Sequence, residues 1–210
     1  MGAGTKMERD VKVKICGITT ETEIGYLNES EADYAGFVFW EKSKRYITLQ
    51  KAKKLKDKLI NDIKAVAVMV SPEIEFVKEI ENAGFDILQI HGELKPEVLN
   101  KAVKPIWYAQ NIKNSSDIAD FGIDQKISAI VIDGEKYGGG KTFDWTADAV
   151  NKRMDIKIPI VLAGGLNSKN VIDGIEKFQP DIVDVSTGVE GTSGKDKKLI
   201  LDFIERVKHE

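Results

Sequence analysis

The chain has one cysteine, Cys16, and two histidines, His91 and His209, among 210 residues. A single cysteine cannot close a disulfide within the chain, which suits a reducing compartment, and a cytoplasmic location is expected. Two histidines, one of them in the tail, leave no His/Cys/Asp/Glu set at metal-ligand spacing, so no metal is expected. No apolar run is long enough to cross a bilayer, and Met1–Asp10 lacks the apolar core of a signal peptide. A large excess of one charge sign is also missing: a formal net charge of -3 gives no reason to expect nucleic acid or an anionic membrane as a partner. Linkers, low-complexity tracts and charge blocks are missing, so residues 11–210 are expected to form one domain. Residues 1–10 are expected to be a flexible extension.

The composition that remains, 42% hydrophobic and 31% charged, is that of an ordinary globular protein. Its main feature is an alternation of short Val/Ile-rich segments with amphipathic ones. YAGFVFW, IKAVAVMV, DILQIH, PIWYA (Pro105–Ala109), SAIVID, IPIVLA and DIVDVS read as strands. Between them Glu21–Ser30, Leu49–Ile60, Glu73–Ala83, Pro96–Ala102, Ser115–Phe121, Trp145–Lys152 and Asn167–Phe178 read as helices, with Lys197–Lys208 last. Strand-then-helix units repeated about eight times predict a parallel sheet covered by helices and closed into a single (β/α)8 barrel. A doubly wound open sheet is the alternative, but no G-x-G-x-x-G turn follows the first strand.

The organising stretch is Val11–Thr20, VKVKICGITT. Period-two alternation puts Val13 and Ile15 on one face, with Lys12, Lys14 and Cys16 on the other. Gly17 ends the strand, and Thr19 or Thr20 can cap a helix with Glu21 and Glu23 in its first turn. Cys16 therefore ends the first strand just before a helix, where a thiol can act as base or nucleophile or can simply be a small buried hydrophobe. Active sites of such barrels sit at the carboxyl ends of the strands. Those ends carry Cys16, Trp40 with Ser43 and Arg45 just beyond, His91, Gln110, Asp133, Gly164–Gly165 and Ser186–Gly188.

Taken singly, each has a plainer explanation: a barrel histidine, a solvated arginine, an aspartate that caps a turn. AGGLN (Ala163–Asn167), with a helix expected from Asn167, and STGVEGTSGKD (Ser186–Asp196) read as phosphate cradles after strands seven and eight. Gly138–Gly140 offers further amides. Cys16 and Asp133 would offer a base and an acid to one small sugar phosphate. Lys14 is read as a structural ion-pair member, support of the thiolate being the alternative. Asp184, facing inward on strand eight, is a partner for Lys14 or for a substrate nitrogen.

KICGIT, GFVFxxxSxR, LQIHG, an aspartate followed by a glycine loop ending GGKTFDW, LAGGLN and DVSTGVE stand together in this order. In this the chain resembles the phosphoribosylanthranilate isomerase family of tryptophan biosynthesis over essentially everything from Val11 onward. The resemblance implies a (β/α) barrel enzyme that carries N-(5-phosphoribosyl)anthranilate through an Amadori rearrangement to 1-(2-carboxyphenylamino)-1-deoxyribulose 5-phosphate. It implies Cys16 as general base, Asp133 as general acid, Arg45 on the anthranilate carboxylate and Asp184 on the anthranilate nitrogen. His91 is carried as a substrate-binding residue, and backbone groups around Gly164, Gly165, Thr187 and Gly188 would hold the phosphate. No cofactor is required, and the expected partner is the small-molecule substrate alone, bound by a monomer or homodimer.

Three positions depart from the family's pattern. Lys44 stands where proline usually precedes the arginine, freeing the backbone before Arg45. Tyr137–Gly140 lacks the usual loop hydroxyl, and Thr187 replaces a serine. The competing readings are another phosphosugar barrel enzyme and a non-catalytic phosphate-binding barrel, since fold alone does not determine function.

Overall fold

The computed structural model describes residues 10–60, 62–111, 126–133 and 157–209. Eight strands follow the short apolar runs: β1 (Lys12–Cys16), β2 (Tyr34–Val38), β3 (Lys64–Val70), β4 (Ile87–His91), β5 (Ile106–Asn111), β6 (Ile127–Asp133), β7 (Ile160–Leu162) and β8 (Ile182–Val185). Each pairs in parallel with the next, and β8 pairs with β1, which closes the barrel. The helices α1 (Glu21–Asn28), α2 (Leu49–Lys56), α3 (Ile74–Asn82), α4 (Pro96–Lys101), α5 (Val171–Phe178) and α6 (Lys197–His209) lie between or after these strands. The expected helices Ser115–Phe121 and Trp145–Lys152, the Gly138–Gly140 loop and the extension at residues 1–9 fall outside the described residues.

Alternation along the strands sorts their side chains into two cores. Val13, Ile15, Phe37, Met69 and Leu88 face outward and pack with helix residues such as Leu27, Val77 and Phe203. Tyr34, Val66, Trp107, Val131 and Ile182 fill the barrel itself. Tyr34 and Trp107 meet edge to face at a centroid distance of 5.0 Å, a geometry favoured by the ring quadrupoles. The apolar filling gives way near the carboxyl ends of the strands to Lys14, Cys16, Gln89, His91, Asp133 and Asp184.

The expected start of one helix is corrected. The helix after β7 starts at Val171, not Asn167. Asn170 Oδ1 accepts from the Asn167 amide at 2.8 Å and Asn167 Oδ1 accepts from the Lys169 amide at 2.9 Å, so these side chains hold a turn before the helix. The segment after β8 is a 3-10 turn (Thr187–Val189) followed by an antiparallel hairpin, β9 (Glu190–Gly191) and β10 (Gly194–Lys195). Its glycines serve that hairpin as well as any cradle: Gly194 has φ +127, which side chains rarely adopt.

Thr20 is the cap of α1, in a reciprocal capping box with Glu23. Glu23 is only 4% exposed although charged. Its Oε2 accepts from the amides of Thr19 (2.6 Å) and Thr20 (2.9 Å), and its Oε1 accepts from the Lys195 amide at 2.9 Å. One carboxylate thus ties the loop after β1 to the hairpin after β8. Glu23→Ala should cost about 2 kcal/mol, from the lost cap and the stranded donors, with Glu23→Gln losing about half as much. Urea unfolding followed by circular dichroism measures this, and an unchanged midpoint in Glu23→Ala would remove the tie.

Candidate active site

The carboxyl ends of the strands surround a cavity of about 360 Å³. Cys16, Arg45, His91, Asp133, Gly164, Gly165, Asp184 and Thr187 all line it. Gly188 is not among the lining residues. It packs behind them instead: a Cβ there would stand 1.9 Å from the Leu166 carbonyl oxygen. Absence of a side chain therefore lets the turn after β8 lie against the loop after β7. Gly164 (φ +85) and Gly165 (φ +66) hold left-handed backbone at the cavity wall. β1 and β6, which carry Cys16 and Asp133, are three positions apart around the barrel, with β7 and β8 between them.

Lys14 is fully buried, and its Nζ donates to Asp184 Oδ2 at 2.7 Å across the β1–β8 seam. Its charge also acts on the Cys16 side chain. Burial opposes charge on Lys14, but Asp184 and Cys16 outweigh it and keep the ammonium above its ordinary range. Burial pushes the Cys16 thiol up, with Lys14 and Lys195 pulling the other way. Gly36 on β2 makes room for this contact: a Cβ there would stand 2.8 Å from Cys16 Sγ and 3.1 Å from Lys14 Nζ. The ion-pair reading of Lys14 describes it, and its charge favours the Cys16 thiolate against the larger effect of burial. Asp184 Oδ1, by contrast, is buried with no hydrogen-bond partner among the described residues, as is Gln89 Oε1.

Arg45 is 8% exposed, not a solvated charge. Its stem crosses Gly17, where a Cβ would stand 2.3 Å from Arg45 Cδ, so Cys16 and Arg45 are brought together by the same glycine that ends β1. The backbone before it is held without proline: Ser43 Oγ accepts from the Arg45 amide at 3.1 Å, and the Ser43 amide donates to the Trp40 carbonyl at 2.9 Å. Arg45 donates from Nε to Glu190 Oε1 at 2.5 Å and from Nη2 to Glu190 Oε2 at 3.0 Å. Lys195 Nζ donates to the same Glu190 Oε1 at 3.0 Å and to the Ser186 carbonyl at 3.0 Å. Partial burial works against the charge on Glu190, but Arg45 and Lys195 prevail and hold its pKa at about 2. Glu190, Lys195, Gln89 and Gly36 were not singled out by the motifs. Gly36 and Glu190 lie within the quoted motifs GFVFxxxSxR and DVSTGVE, and Gln89 lies two residues before His91 and shares its inward face.

Gln89 Nε2 lies 2.9 Å from His91 Nε2. Burial, and then the Lys14 charge, hold the imidazole down at about 4 from its ordinary 6.5. The folded state therefore binds fewer protons than the unfolded state between those values, and stability falls as pH drops through that window. Between pH 7 and pH 5, above the range where Glu190 titrates, this amounts to about 2 kcal/mol. Urea titrations at the two pH values should show that loss in the wild type and not in His91→Gln. Equal losses in both proteins would overturn the assignment.

The family model for N-(5'phosphoribosyl)anthranilate (PRA) isomerase matches residues 13–206. N-(5'-phosphoribosyl)anthranilate isomerase of Clostridium acetobutylicum is 41% identical over 204 residues, covering 94% of this chain and 98% of that one. The crystal structure of phosphoribosyl anthranilate isomerase from Thermotoga maritima is similar with a TM-score of 0.83 and 33% identity, covering 94% of this chain and 98% of that chain. A structure of the isomerase in complex with reduced 1-(o-carboxyphenylamino)-1-deoxyribulose 5-phosphate is similar with a TM-score of 0.80 and 33% identity over the same shares. Together with the closed barrel and the residues at its rim, these matches show that the chain belongs to the phosphoribosylanthranilate isomerase family.

Proposed function

We propose that this protein isomerises N-(5'-phosphoribosyl)anthranilate to 1-(2-carboxyphenylamino)-1-deoxyribulose 5-phosphate, with Cys16 as general base and Asp133 as general acid. The observation that carries the reading is the shared cavity, in which a thiol, a carboxyl, an arginine, the Gly164–Gly165 pair and Thr187 converge. Asp133, protonated, gives its proton to the furanose ring oxygen as the C1′–O bond breaks, and the nitrogen lone pair forms the C1′=N iminium. Cys16 thiolate then takes the C2′ proton. The C–H electrons form the C1′=C2′ bond, and the iminium electrons return to nitrogen. The enolamine gives up its C2′ hydroxyl proton and gains one at C1′, leaving the ketone. Return of a proton from Cys16 to Asp133 resets the pair. The electron source is the substrate's own nitrogen, so the step needs no cofactor.

The free Oδ1 of Asp184 suits an acceptor for the substrate amino N–H, its Oδ2 being taken by Lys14. The part of Arg45 that Glu190 leaves unused suits the anthranilate carboxylate. Gly164, Gly165 and Thr187 line the wall where phosphate would meet backbone amides, with Gly188 fixing the distance between the two loops. In this reading the only partner is the small-molecule substrate, the enzyme is cytoplasmic, and it works as a monomer or homodimer. Among the described residues no helix is long and apolar enough to cross a membrane.

Turnover of freshly generated phosphoribosylanthranilate, followed by loss of its fluorescence with chelator present, tests the proposal. Cys16→Ala and Asp133→Asn should each lower kcat by about 10²–10⁴-fold while the reduced product analogue still binds. Wild-type protein that binds the analogue without turning over substrate would move the non-catalytic barrel to the front. Full activity in Cys16→Ala would sink the base assignment alone.

A further inference from the structure

A carboxylate that binds both Nε and Nη2 of one arginine fixes the plane of the guanidinium. Glu190 does this to Arg45, at 2.5 and 3.0 Å. A guanidinium has five N–H bonds, so the edge formed by Nη1 and the second N–H of Nη2 is left for another ligand. Arg45 lines the cavity, and its stem is confined where it crosses Gly17. Both its position and its rotation are therefore set before any ligand arrives.

An acidic group beside a carboxylate site would ordinarily repel the incoming anion. Here Glu190 is offset by more than Arg45. Lys195, 6% exposed, donates to its Oε1, and Lys44, in the place where relatives' pattern has proline, lies 3.5 Å from its Oε2. Lys195 is itself anchored on the Ser186 carbonyl and hydroxyl and stands opposite Glu190 in the β9–β10 ladder. Three cations thus surround one carboxylate, so its charge is more than matched within the cluster.

We propose that Glu190, held by Lys195, is a positioning residue that sets the site's preference for a carboxylated aromatic amine by fixing the edge of Arg45 offered to the ligand. The inference rests on the reading of Arg45 as the carboxylate ligand. Ordering the arginine in advance removes a cost that binding would otherwise carry.

Calorimetry with two probes tests it: the reduced product analogue and the same compound without its carboxyl group. Each is titrated into wild type, Glu190→Ala, Glu190→Gln and Arg45→Ala. In Glu190→Ala the preference for the carboxylated probe should fall about tenfold, with the other probe bound within about twofold of wild type. Glu190→Gln, which keeps an acceptor for Nε, should fall less. An unchanged or larger preference in Glu190→Ala overturns the proposal, and so does equal loss of both probes, which would make the hairpin a general support. If Arg45→Ala keeps the wild-type preference, the reading of Arg45 fails and takes the proposal with it. If only Arg45→Ala loses the preference, the role of Glu190 alone is refuted.

Discussion

The ion pair between Lys14 and Asp184 lies where the barrel closes. Lys14 is in register with Asp184 on the adjacent strand, so the contact spans the one seam that joins the first strand to the last. Two charges in an apolar barrel are costly to bury, and keeping only one of them costs about 3–5 kcal/mol. The pair therefore does little to favour the fold over an apolar filling, but it specifies which strands must meet. It also leaves an ammonium beside the only thiol and a free carboxylate oxygen at the cavity floor. The polar chemistry of the site is an extension of the contact that closes the sheet.

Around that floor, space is assigned by glycine as much as by side chains. Gly36 leaves room for Cys16 and Lys14, Gly17 lets Arg45 pass, and Gly188 brings the loops after β7 and β8 together. Each position admits a neighbour within a distance that a methyl group would occupy. Close approach of this kind is expected where backbone and polar groups must converge on a small ligand.

The barrel and its inward-facing residues were legible because strand parity is a local property. Once Val13 and Ile15 are assigned outward, Lys14 and Cys16 must face inward, and closure brings Lys14 to Asp184. Element ends were less legible. Leu59 keeps helical spacing and still packs on the core, although α2 ends at Lys56. The start of α5 moved because Asn167 and Asn170 bond their own backbone, a competition that periodicity does not register. Glu190 and Lys195 lie in a short glycine-bearing segment without periodicity, and their partners are remote in sequence: Arg45 is 145 residues from Glu190. Nothing local marks such a charge as paired or solvated.

The seam has a consequence for how the molecule comes into being. Lys14 bonds a residue 170 positions later, and Glu23 bonds the amide of a residue 172 positions later. Contacts of that span close the largest loops and are slow to form. During synthesis, strands and helices from the amino-terminal half can pair as they emerge, but the thiol's surroundings stay incomplete until residue 195 has left the ribosome. The pocket is thus completed only after the barrel strands have all been made, and a chain stopped short of the β9–β10 hairpin would carry every one of those eight strands without a finished site.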